Sequence, residues 1–64
     1  MVNMTNIFLT NGFLRRTRMD IEDVHNLINR TKDNYIQIDN NLSGKTCKVL
    51  INKNTISTIE DMGH

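Results

Sequence analysis

Three arginines, Arg15, Arg16 and Arg18, sit in one short stretch, and no acidic residue occurs before Asp20. Guanidinium forks match phosphate oxygens in bidentate fashion, so the cluster is a candidate phosphate-binding patch. A second reading is local: Asp20, Glu22 and Asp23 follow directly and offer the same arginines ion pairs. Strand alternation divides the trio, and Arg16 shares a face with Arg18 only if the strand runs on to Arg18. The arginines also precede a helix start, whose free N–H groups attract anions.

Other residues extend the candidate ligand set. His25 falls at the edge of a helical apolar stripe, where an imidazole binds a ligand, donates a proton or simply lies half-buried. Tyr35 offers a ring for stacking on a base, or else packs against the helix or a neighbouring subunit. Lys53 adds a cation from a neighbouring subunit. The ligand-binding set is therefore Arg15, Arg16, Arg18, His25, Tyr35 and Lys53. Cys47 reads as a small core residue on the inward face of a strand.

No catalytic constellation accompanies these residues. The chain has no Gly-rich phosphate loop and no nucleophile with a base at a recognisable spacing. Asp20, Glu22 and Asp23 point in three directions on a 3.6-residue repeat, so they make no metal site. The sequence predicts a protein that is not an enzyme and needs no cofactor.

The elements that must position these residues are legible in outline. Residues 6–10 (NIFLT) are β-prone and run into Asn11-Gly12, a pair that tolerates φ > 0 and signals a hairpin. The returning strand covers residues 13–17. A helix over 20–32 follows, with Asp20 or Thr17 as N-cap, acids in its first turn and Arg30 and Lys32 in its last, which complements the helix dipole. Ile21, Val24, Leu27 and Ile28 form its one apolar stripe. Tyr35–Asp39 alternates as a strand with Ile36 and Ile38 inward, and residues 40–44 read as a loop with Gly44 in a left-handed position. Lys45–Asn52 is the strongest strand, with Cys47, Val49 and Ile51 on one face. Lys53-Asn54 is a turn, Ile56 and Ile59 suit a short last strand or a single helical turn, and residues 62–64 are a frayed tail.

Size and composition set the class. Sixty-four residues make one domain, 1–64, whose core alone is marginal. A single cysteine and two histidines supply neither an internal disulfide nor a structural zinc set. Oligomerisation is the remaining means of stabilisation. Phe8 between Ile7 and Leu9, and Leu50 between Val49 and Ile51, make strands apolar on both faces, as in strands covered on both faces. One helix covers one face, so a neighbouring subunit is expected on the other, or a tightly curled barrel within one chain. A net charge of +1 excludes a polyelectrolyte binder. No apolar run reaches membrane-helix length, and the start lacks the pattern of a secretory signal; a reducing cytoplasm is expected. Asn, Ile and Lys account for 22 residues, a bias that suits an AT-rich bacterial or phage genome, with the host cytoplasm as location if phage-encoded.

The segment IFLTNGFLRRT resembles the first motif of the bacterial Sm-like RNA-chaperone family (Hfq), in which a strand, a glycine turn and a second strand begin a barrel. INKNTISTIE is similar to that family's closing motif, a short turn followed by an Ile-Ser-Thr strand, and YIQID takes the place of the middle strand. The resemblance covers about half the chain. It implies a small, strongly bent sheet that closes into rings, and RNA as a partner. The chain departs from the family in its acidic helix at 20–32, where the family has a short bend, and in the lack of an N-terminal helix. Asn52-Lys53-Asn54 stands where the family has Tyr-Lys-His, so only Lys53 corresponds.

The expected fold is α+β: a small bent antiparallel sheet in β-β-α-β-β order, with a fifth strand left open and an SH3-like or Sm-like barrel as one form, carrying one amphipathic helix and built into a homo-oligomer. The expected function is binding. The leading ligand is an anionic, nucleotide-like small molecule held at subunit boundaries, as a sponge or sensor of a nucleotide signal would hold it. An Sm-like RNA-binding role is one alternative. A phage inhibitor of a host or defence protein is another.

Overall fold

The computed structural model describes residues 4–42 and 44–62. It folds them into five strands, β1 (Thr5–Leu9), β2 (Leu14–Thr17), β3 (Tyr35–Leu42), β4 (Lys45–Asn52) and β5 (Ile56–Asp61), with one helix, α1 (Ile21–Arg30), between β2 and β3. A 3-10 turn, Lys53–Thr55, joins β4 to β5. The class is α+β, and both sheets are antiparallel: β2-β1-β5 and β3-β4. Among the described residues no helix is long and apolar enough to cross a membrane.

The Asn11-Gly12 signal does mark a hairpin, but its loop has three residues. Leu9 N–H donates to Phe13 C=O at 2.9 Å and Gly12 N–H to Leu9 C=O at 3.0 Å, which closes the loop over Thr10–Gly12. Gly12 takes φ +89°, the left-handed residue that a three-residue hairpin needs. Asn11 secures the exit, its Oδ1 accepting from Phe13 N–H at 3.0 Å. β2 ends at Thr17, so Arg18 lies beyond the strand and does not continue the face of Arg16.

The helix is shorter than the charge pattern predicts. Asp20, one of the two expected N-caps, takes that place in extended conformation, without a side-chain cap bond. At the other end Thr31 leaves the helix, and its hydroxyl donates to Leu27 C=O at 2.6 Å. Thr31 N–H still makes the helical bond to the same carbonyl, but its extended ψ of 118° turns the chain out and ends the helix before Lys32. Val24 is buried, while Ile21, Leu27 and Ile28 are half-buried.

Ile7, Val24, Ile36, Ile38 and Ile51 form the core, one or more from β1, α1, β3 and β4. Ile36 stands opposite Ile51, and Ile38 opposite Val49, so alternation assigns these positions correctly. Two expectations fail further along the hairpin. Asn40, Asn41 and Leu42 belong to β3 rather than to a loop, and the turn is confined to the neighbourhood of Gly44, at φ +75°. Cys47 shares the inward row with Val49 and Ile51, yet it is exposed. The reason is reach: β2 lies beside β3, where Arg16 N–H meets the buried Asn40, whereas Cys47 stands across the ladder from Asn40 on β4, the strand farther from β2.

The two-sided apolar runs part company. Phe8 is half-buried, opposite the half-buried Leu14 of β2, whereas Leu50 is 67% exposed. Lys53-Asn54 is in a turn, and Ile56 and Ile59 lie in a last strand rather than in a helical turn. Of the frayed tail, residues 63 and 64 lie outside the described residues, as does Ser43 of the expected loop.

Candidate functional site

Alternation along β3 turns Tyr35, Gln37, Asp39 and Asn41 outward, and the ladder sets Asn52, Leu50, Lys48 and Thr46 opposite them in that order. Beside this face runs the link from β2 to α1. The two enclose a groove of about 590 Å³, lined by Thr17, Arg18, Met19, Gln37, Ile38, Asp39, Asn41, Thr46 and Lys48. Arg18 and Lys48 are exposed cations, Asp39 is directly opposite Lys48, and Thr46 Oγ1 donates to Asn41 Oδ1 at 3.3 Å. Met19 and Ile38 supply apolar wall. A groove with two cations, one carboxylate and neutral donors and acceptors suits a ligand that is both anionic and rich in hydrogen-bonding groups.

The groove exists because β2 and β3 meet without a ladder. They lie side by side, and the link across them is a side chain: Asn40 Oδ1 accepts from Arg16 N–H at 3.0 Å. The chain then turns away at residues 18 and 19 to enter α1. Thr5 Oγ1 donates to Met19 C=O at 2.8 Å and holds that turn against β1.

The predicted ligand set is dispersed. Arg18 lines the groove, and Tyr35 is 48% exposed on the same sheet face, beyond Gln37. Arg16 points to the outer face of the other sheet, where its Nε donates to Asn6 Oδ1 at 2.9 Å. Arg15 lies opposite Ile7 on the core side, half-buried, with its Nε enclosed and lacking a hydrogen-bond partner among the described residues. Among those residues no ion pair joins the three arginines to Asp20, Glu22 or Asp23.

His25 is on another surface. It is exposed, receives a hydrogen bond from Asn29 Nδ2 at 3.2 Å, and borders a smaller cavity of about 260 Å³ with Ile21, Glu22 and Ile59. Lys53 is engaged within the chain: its Nζ donates to the Thr31 carbonyl at the end of α1, and its N–H donates to Asn34 C=O at 2.7 Å.

Sequence reasoning missed Gln37, Asp39, Asn41, Thr46 and Lys48. The outward partners of Ile36 and Ile38 were the available signal, since Gln37 and Asp39 must face away from the core if the isoleucines face it. Among the described residues no cluster of three or more His, Cys, Asp or Glu could hold a metal ion. No protein-family model matches the chain, and neither does any curated protein or solved structure.

Proposed function

We propose that this chain is a non-enzymatic binding protein whose groove between the β3–β4 face and residues 17–19 takes an anionic, nucleotide-like small molecule. The observation that carries the reading is the placing of Arg18 and Lys48 on one groove with Asp39, Gln37 and Asn41. The cations would take phosphate oxygens, and the carboxylate would accept from ribose hydroxyls or an exocyclic amine. Of the six residues first singled out, Arg18 is the one that contributes directly, and Tyr35 borders it.

The reading includes a symmetric homo-oligomer. Among the described residues β4 and β5 each pair with one strand, and a strand edge with no ladder partner is a template for another chain. β4 meeting the β5 of the next copy is a head-to-tail joint, which closes into a ring when the rotation permits. Lys48 lies on β4, so the groove would border each joint.

Thermal stability measured against a panel of nucleoside phosphates tests the ligand. Nucleotides should raise the melting temperature, and Arg18→Ala or Lys48→Ala should abolish the rise. A panel that leaves the melting temperature unchanged would overturn the reading.

An Sm-like RNA-binding role is the second reading. It is supported by the 3-10 turn at Lys53–Thr55 leading into the Ile-Ser-Thr start of β5, the arrangement that the resemblance implies. Gel shift with oligoadenylate and oligouridylate separates the two. A shift at about 50 mM salt that weakens steeply as salt rises would favour RNA.

A further inference from the structure

Resting on the groove as a nucleotide site, we infer that its ligand is a free dinucleotide, one unit seated in the groove and the second base stacked on Tyr35 and Leu50. The groove lining offers charge and hydrogen bonds but no aromatic ring. The ring on the same face is Tyr35, two residues beyond Gln37, a step of about 7 Å along a strand. Leu50, opposite Gln37, is the diagonal neighbour of Tyr35, close enough for an aromatic side chain to reach.

These two side chains are 48% and 67% exposed, an apolar platform beyond the Gln37 end of the groove. A flat ring laid on it would remove that area from water, and stacking on a tyrosine tolerates any base. A mononucleotide whose phosphate meets Arg18 and Lys48 fills the polar part and leaves the platform bare. A second unit, joined through phosphate, reaches it.

Titration calorimetry on the intact protein tests this with AMP and GMP, with the dinucleotides pApA and pGpG, and with a long oligoadenylate. At least one dinucleotide should bind more tightly than its mononucleotide, by about tenfold. Tyr35→Ala should bring that dinucleotide down to the mononucleotide level and leave mononucleotide binding unchanged, while Tyr35→Phe should retain the gain. Equal binding of both sizes, or a Tyr35→Ala loss shared equally by both, would overturn the inference and leave the groove reading standing. Affinity that keeps rising with length beyond two units would also overturn it, in favour of RNA. Binding by none of the probes, or binding that Arg18→Ala does not weaken, would remove the groove reading and the inference together.

Discussion

Asn40 Oδ1 accepts the backbone N–H of Arg16 at 3.0 Å, and this bond spans the seam between the two sheets. Asn40 is 8% exposed, a polar side chain accepted into the interior because it replaces a missing ladder bond. Leucine in its place would leave the Arg16 N–H unpartnered in a partly buried seam. Such a loss costs about 1–3 kcal/mol, and each kcal/mol lowers the melting temperature of a domain this small by roughly 4–8 °C. Asn40→Leu should show that drop in a thermal melt, and Asn40→Asp, which retains an acceptor, a smaller one. Equal melting of Asn40→Leu and the parent would mean that the seam is held by packing alone.

Lys53 joins the turn before β5 to the end of α1 through the Thr31 carbonyl. Cations at a helix C-terminus offset the partial negative charge of its free carbonyls, an effect of about 0.3–1 kcal/mol at surface sites. Lys53→Met keeps most of the aliphatic stem and removes the charge. It should lower the urea midpoint by an amount equivalent to about 1 kcal/mol and leave nucleotide affinity as it is. A fall in affinity with unchanged stability would instead make Lys53 a ligand contact.

How far the chain could be read depends on which interactions are local. Alternation put Ile36, Ile38 and Ile51 inward because a strand's side-chain period is fixed by its backbone. The helix was visible in its stripe and charges. Alternation gives a residue's face but not how far the core reaches along it: Asn40 is covered by β2, while Cys47 opposite it on β4 is exposed. Asn40 and Asn41 have the composition of a turn, yet their pairing with Cys47 and Thr46 and the seam with β2 keep them in the strand. The groove was beyond reach, since tertiary packing brings Arg18 and Lys48 to the lining of one groove and no spacing in the chain connects them.

The exposure of Cys47 has a direct chemical consequence. An exposed thiol near the turn of the β3–β4 hairpin should react with a disulfide reagent such as Ellman's in the folded protein, without denaturant. Cys47→Ser should stay within about 0.5 kcal/mol of the parent in stability, as substitutions away from core and buried networks do. Reaction only after unfolding would put the residue inside, as alternation alone suggests.

The proposed joint between copies has a preferred direction, and charge makes it testable. Antiparallel pairing of β4 with the β5 of a second copy brings the Lys45 end of one strand to the Glu60 end of the other. Parallel pairing would bring Lys45 to the uncharged start at Ile56. Lys45 and Glu60 are both exposed in the single chain, and Lys45 is outside the groove lining, so its replacement should not disturb the ligand site. One exposed pair contributes little, about 0.2–1 kcal/mol, but a ring repeats it at every joint. Light scattering should give a mass several times 7.4 kDa, falling on dilution more readily for Lys45→Glu than for the parent. The exchange Lys45→Glu with Glu60→Lys should restore the parent's behaviour, because the pair is re-formed with its signs reversed. A parent mass of 7.4 kDa at micromolar concentration would exclude the oligomer. An oligomer unmoved by Lys45→Glu would place the joint somewhere other than these two strand ends.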